Sequence, residues 1–212
     1  LYYIDEPSGW WNLYATRDGK TRALAPMARE FGGALWTLGN QTYVVADAGH
    51  VYARSSKDAI DQLAWIDGKD GDHRRIDAPF VNFGDLSLDR HGRLIAIASA
   101  ATDEPVLVAI DPQDGQVQRL HQASTSRIPA SLVSIGQPIR FPTTPGPAGE
   151  ARIAHATFYP PTNPGFTGPE GSLPPLIVTI HGGPTSASRP SRLSSTMMPR
   201  ISRVSGLANR CS

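Results

Sequence analysis

The sequence predicts a mostly β chain: a partial β-propeller of roughly two to three blades, giving way to the first strands of an α/β domain. Three observations predict it. Apolar residues fall in short runs separated by turn residues, among 20 glycines and 19 prolines, which favours strands over helices. Three of those runs each lead through an Asp-Gly dipeptide into a return strand, at a spacing near that of a four-stranded blade. Finally, a proline-dense loop from Pro160 to Pro175 delivers the chain to Leu176-Ile177-Val178-Thr179-Ile180. That apolar run lacks alternation, the pattern of a strand buried on both faces of a parallel sheet.

The elements follow in order. Asn12 to Leu24 reads as a hairpin turning at Asp18-Gly19. Gln62 to Ile66 leads through Asp70-Gly71 to Ile76, and Val106 to Asp111 leads through Asp114-Gly115 to Leu120. Glycine suits such a tip because it adopts positive φ without steric cost. Gly19, Gly71 and Gly115 recur 52 and 44 positions apart. Between these hairpins, Tyr43-Val44-Val45-Ala46 with Val51-Tyr52-Ala53, and Leu86-Ser87-Leu88 with Leu94 to Ala98, supply the other blade strands; a β-sandwich with hairpins at similar spacing is the competing reading. So few blades cannot close a ring, and the chain opens on Leu1 rather than methionine, so more propeller is expected upstream. Residues 1–123 are therefore read as the C-terminal blades.

A Ser-rich connector, Ser124 to Ser134, marks a change of composition. Gln137 to Pro142 and Ala151 to Tyr159 then alternate enough to make an antiparallel pair around Pro145-Gly146-Pro147. Prolines exclude any regular element from the loop before Leu176. At the end of the expected strand stands His181-Gly182-Gly183-Pro184. In α/β-hydrolases the loop after the third strand supplies a backbone NH to the oxyanion hole, commonly from an HGG-type sequence. The glycines let the backbone approach the developing oxyanion, where a preorganised donor is worth about 3 to 4 kcal/mol of barrier. Residues 124–185 are read as the start of an α/β-hydrolase domain.

Four stretches together resemble the prolyl oligopeptidase family of serine peptidases, in its dipeptidyl aminopeptidase and acylaminoacyl-peptidase branch. They are Gly9-Trp10-Trp11-Asn12-Leu13-Tyr14; Glu30-Phe31-Gly32-Gly33 with Trp36; Phe158-Tyr159-Pro160-Pro161-Thr162-Asn163-Pro164; and Leu173 to Val178 leading into His181-Gly182-Gly183-Pro184. The resemblance implies a propeller followed by an α/β-hydrolase domain, cleavage of short peptides near their amino end, and no metal or organic cofactor. By carry-over, Gly183 resembles the oxyanion NH donor, with Gly182 shaping the turn and His181 bracing it. His181 does not match the catalytic histidine of the family.

The sequence departs from the family after this point. Catalysis needs a Gly-x-Ser-x-Gly elbow, then an acid, then a histidine, and after Pro184 the chain has no elbow, no Asp or Glu and no His. Residues 186–212 are rich in Ser and Arg and free of aromatics, which reads as an aberrant or disordered tail. A shifted reading frame near Ser186 to Ser195 accounts for it; a divergent native tail is the alternative. With the catalytic triad absent, the chain is expected to be inactive.

Other features narrow the field. The 20 Lys and Arg balance 19 Asp and Glu, leaving no general pull towards nucleic acid or an anionic membrane. No apolar run approaches the length of a membrane helix, and no signal peptide is visible at Leu1 to Trp11, so a cytoplasmic location is favoured. The lone Cys211 needs no oxidising compartment. His50, His73, His91, His121, His155 and His181 show no zinc spacing and read as surface or turn residues. Asn40-Gln41-Thr42 has only the form of a glycosylation sequon. Trp10, Trp11 and Trp36 read as packing between blades rather than as a ligand groove. Asp103-Glu104 reads as a solvated pair. Two function classes stand: a fragment of a serine peptidase acting on short peptides, and a non-enzymatic propeller module for interactions.

Overall fold

The computed structural model describes residues 1–33, 38–46, 49–122, 128–180 and 182. They form several antiparallel sheets, none of them closed. The first sheet holds β1 (Tyr2–Asp5), β2 (Asn12–Arg17) and β3 (Lys20–Leu24) in that order. The second runs β4 (Tyr43–Val45), β5 (His50–Lys57), β6 (Ile60–Asp67), β7 (His73–Ile76) as a simple meander. The third comprises β8 (Asn82–Phe83), β9 (Ser87–Leu88), β10 (Leu94–Ser99), β11 (Val106–Ile110) and β12 (Val117–Gln122), with the short β8 and β9 both pairing against β10.

The Asp-Gly hairpins join the last two strands of each sheet, which gives the three sheets one plan. Their tips differ. Asp18 and Gly19 have φ of 50° and 72° between the paired Arg17 and Lys20, a two-residue turn whose twist matches the strands. The other two tips are not tight turns but longer loops built alike, of five and six residues. In one, the Asp67 N–H donates to the Asp72 carbonyl at 2.7 Å and the Gly71 N–H to the Asp67 carbonyl at 3.0 Å. In the other, Asp111 donates to Gln116 and Gly115 to Asp111, both at 2.9 Å. The first Asp of each loop also accepts a backbone N–H two residues on, from Lys69 at 2.6 Å and from Gln113 at 2.8 Å. A fourth hairpin escaped the sequence reading. Asp58 and Ala59, at φ of 50° and 63°, turn β5 into β6 without any glycine.

The three sheets stack face to face in chain order. Side chains alternate across a strand, so the middle sheet serves two cores. Val51, Ala53 and Ile66 meet Leu13, Leu24 and Phe31 of the first sheet and its following segment. Tyr52, Leu63 and Ile76 meet Phe83, Leu86, Leu94, Ala96, Val106 and Val108 on the other side. Full burial of such a side chain is worth about 1.5 to 3 kcal/mol. Polar side chains also cross between sheets. The Phe83 N–H donates to Asp61 Oδ2 at 2.9 Å, and Arg54 Nη1 donates to the Phe83 carbonyl at 2.8 Å while lying 3.5 Å from Asp61. Arg29 donates to Ser55 Oγ at 2.9 Å and to the Ser55 carbonyl at 3.0 Å, and burial pushes its pKa down.

The region beyond is thinner. A single 3-10 turn, Ala130–Leu132, precedes the hairpin β13 (Gln137–Thr143) and β14 (Arg152–Phe158), paired from Gln137 with Phe158 to Thr143 with Arg152. This is the pair that the alternation predicts. The strand expected at Leu176–Ile180 is not formed: these residues have no regular structure and are exposed, Ile180 to 88%. A doubly buried strand needs hydrogen-bonded neighbours and a layer on each face, and among the described residues none lies beside this segment. The described residues of this region therefore hold one antiparallel hairpin and a run without regular structure.

Candidate functional site

Of the three residues expected to build an oxyanion hole, Gly182 alone is described; His181 and Gly183 lie outside the described residues, as do Trp36, Cys211 and the tail. Gly182 is exposed, its φ is not in the left-handed region, and a Cβ there would meet no atom within 4 Å.

A different place gathers chemistry-bearing side chains. A cleft of about 420 Å3 is lined by Trp10, Glu30, Ser56, Lys57, Asp58, Ala59, Arg140 and His155. Three segments build it. Trp10 precedes β2, and Glu30 follows β3. The Glu30 backbone pairs with Ser56 in both directions, at 2.9 and 2.8 Å, so it ties the first sheet to the end of β5. Its carboxylate accepts the Trp11 N–H at 2.8 Å, and Trp11 Nε1 donates to Glu6. The tip of the β5–β6 hairpin supplies Lys57, Asp58 and Ala59. The far wall is β13–β14, where Arg140 and His155 are direct partners and so project on one face. Arg140 Nη2 donates to Asp58 Oδ1 at 2.5 Å.

Ser56 and His155 both line this cleft, but no hydrogen bond joins them, so no nucleophile and base are assembled there in the sense that catalysis requires. The groups with the clearest pKa shifts lie elsewhere. Asp89 is held at about 2 chiefly by the Arg93 backbone N–H, with further bonds from the Arg93 side chain and the His91 N–H. Glu150 is lowered by backbone N–H bonds and Arg152, while burial raises Tyr43 and Tyr159. These shifts report turns and packing. Among the described residues no cluster of three or more His, Cys, Asp or Glu is placed to hold a metal, and no helix is long and apolar enough to cross a membrane.

The remaining sequence candidates divide between packing and solvent. Trp11 lies against Gly32, whose Cβ position is 2.0 Å from the ring, and Trp65 carries the Arg74 guanidinium over its face, so these tryptophans pack. Trp10 instead lines the cleft. His50 contacts the rings of Tyr52 and Trp65. Asp103 bonds Arg119 at 3.3 Å in solvent. Glu30, Lys57, Asp58 and Arg140 were missed, because residues drawn from positions 10 to 155 form no local pattern.

Solved structures decide the kinship. A puromycin hydrolase mutant complexed with PGG matches at a TM-score of 0.77 and 27% identity, covering 90% of this chain and 28% of that one. A puromycin-hydrolyzing peptidase of Mycobacterium tuberculosis matches at 0.77 and 29%, covering 90% and 29%, and a second puromycin hydrolase structure at 0.76 and 27%, covering 88% and 28%. These are prolyl oligopeptidase family peptidases. The resemblance to that family is borne out. The chain spans under a third of the length of these family members. No family model matches it, and no curated protein does.

Proposed function

We propose that this chain is the junction piece of a prolyl oligopeptidase family peptidase: consecutive propeller blades over residues 1–123, the opening of an α/β-hydrolase domain over 124–185, and an aberrant or disordered tail over 186–212. The observation that carries this reading is the stack of three sheets on one plan, each with its Asp-Gly hairpin joining the last two strands. A β-sandwich has two layers and one core between them; here the middle sheet buries both faces, as a blade between two blades does.

On this reading the whole enzyme hydrolyses short peptides near the amino end, in the manner of a dipeptidyl or acylaminoacyl peptidase. The neighbours named as puromycin hydrolases and a puromycin-hydrolyzing peptidase support a peptidase as the whole enzyme. Gly183 is the oxyanion donor, supported by His181 and Gly182. The chain by itself is inactive, because no nucleophile elbow, acid or histidine follows Pro184. Labelling with a fluorophosphonate probe tests this: no serine of the 212-residue chain should react, and a labelled serine would overturn the inactivity. The nucleotide sequence past the Ser186 codon tests the family assignment. A Gly-x-Ser-x-Gly string in another frame is the expected finding; a frame with no elbow would favour a non-enzymatic propeller module.

A further inference from the structure

We infer that the Asp58–Arg140 ion pair is a clasp that sets the width of the cleft between the stacked sheets and the β13–β14 hairpin. Its partners are 82 positions apart in sequence and belong to the two different regions of the chain. Asp58 stands at the tip of the β5–β6 hairpin, in a turn whose two central residues both have positive φ without a glycine. Such a conformation costs an ordinary residue about 1 to 2 kcal/mol and persists where its surroundings fix it. The carboxylate is therefore presented from a rigid post. Arg140 stands on a strand of a two-stranded hairpin whose residues are nearly all exposed, and two strands alone are marginal in water. The hairpin's standing over the cleft thus depends on ties such as this one.

The tie is weak by construction. Arg140 and Asp58 are 58% and 37% exposed, and exposed pairs are worth little, so breaking this one shifts an open–closed balance by roughly two- to five-fold rather than by orders of magnitude. That is the range in which a cleft opens readily. Its lining holds both signs of charge, Glu30 and Asp58 against Lys57 and Arg140, with His155 beside Arg140. When the clasp opens, Asp58 and Arg140 each become available to a ligand of opposite charge, and the distance from Arg140 to Trp10 and Glu30 grows. The clasp therefore governs the size of ligand the cleft admits. This holds whether or not the chain derives from a peptidase.

The test is a distance measurement on the full chain, with spin labels at Lys69→Cys and Ala148→Cys in a Cys211→Ser background. Lys69 and Ala148 are exposed and lie away from the pair. At low salt the distance distribution should be narrow. It should broaden in 1 M salt, where the screening length falls to about 3 Å, and should be broad at every salt concentration in Asp58→Asn and Arg140→Gln. The exchanged pair, Asp58→Arg with Arg140→Asp, should restore the narrow, salt-sensitive distribution, which a merely misfolded hairpin would not do. An identical distribution for the unmodified pair and Asp58→Asn at low salt overturns the clasp, as does an exchanged pair that stays broad. Neither result bears on fluorophosphonate labelling or on the reading frame after Ser186.

Discussion

Residues 1–122 and residues 128–180 are both written in short strands and turns, yet the first region buries its apolar side chains and the second displays them. In the stacked sheets the inner strands find a second layer. Leu13, Leu63, Leu94 and Val108 are at most 1% exposed. The β13–β14 hairpin alternates just as well, but Ile139, Phe141, Ile153 and Phe158 remain 40 to 54% exposed. Alternation makes a strand; a facing sheet makes a core. The difference teaches that stability here is a property of layers, and each layer should be breakable separately.

The largest expected effect comes from the middle sheet. Leu63→Ala should cost about 2 to 5 kcal/mol, the loss of transfer energy plus a cavity between two sheets. Ile153→Ala in the exposed hairpin should stay within about 0.5 kcal/mol. Urea denaturation checks both, and similar losses would erase the distinction between the regions.

Charge sharpens the same contrast. Asp61→Ala removes the buried partner of Arg54 and leaves the Phe83 N–H without its acceptor, so it should cost about 3 kcal/mol. Arg140→Ala breaks an ion pair in solvent and should cost less than about 1 kcal/mol. Comparable urea midpoints for the two variants would mean that burial does not set the strength of these pairs.

The hairpin tips come next. Gly115 has φ of 76°, and a Cβ there would sit 1.9 Å from the Asp77 carbonyl oxygen. Gly115→Ala therefore combines left-handed strain with a backbone clash, and should exceed about 2 kcal/mol. Gly19 has a similar φ of 72° and open space around it, so Gly19→Ala should show the strain alone, about 1 kcal/mol. Thermal midpoints in the reverse order would mean that the Asp77 contact is not rigid.

The same divide explains what could be read from the sequence. The Asp-Gly hairpins, the strands beside them and the β13–β14 pair were legible, because each is encoded by turn residues and alternation within a few positions. The β5–β6 hairpin was not. Asp58-Ala59 forms its turn without glycine, and the strain there is carried by an eight-residue ladder on either side. β1 was missed as well, since no turn signal sets it off. Leu176 to Ile180 was misread for the opposite reason: its apolar run is a strand signal, but pairing and burial depend on neighbours that the run itself does not encode. For the site, His181-Gly182-Gly183-Pro184 was legible as a motif, of which Gly182 alone lies among the described residues. The cleft was illegible because its walls meet only in three dimensions.

The smallest effect separates the regions by pH. Asp89 accepts backbone N–H bonds from His91 and Arg93 in the turn before β10 and pairs with the Arg93 guanidinium at 2.8 Å. Its pKa falls from an ordinary 3.8 to about 2. The bonds favour the carboxylate, so the folded state binds the proton more weakly than the unfolded one. The stability this contributes is present above about pH 4 and is lost as the pH falls towards 2. The difference between the unmodified chain and Asp89→Asn should therefore be largest at neutral pH and shrink steadily as the pH falls through about 2, followed by urea midpoints. Glu150 is lowered as well, by N–H bonds and Arg152, but it sits in the exposed hairpin. Because little of the core depends on that hairpin, Glu150→Gln should loosen amide protection in β13 and β14 at neutral pH, an effect that fades as acid protonates Glu150 in the unmodified chain, while leaving the global midpoint unmoved. A global shift for Glu150→Gln as large as that for Asp89→Asn would show that the hairpin and the stacked sheets unfold as one unit.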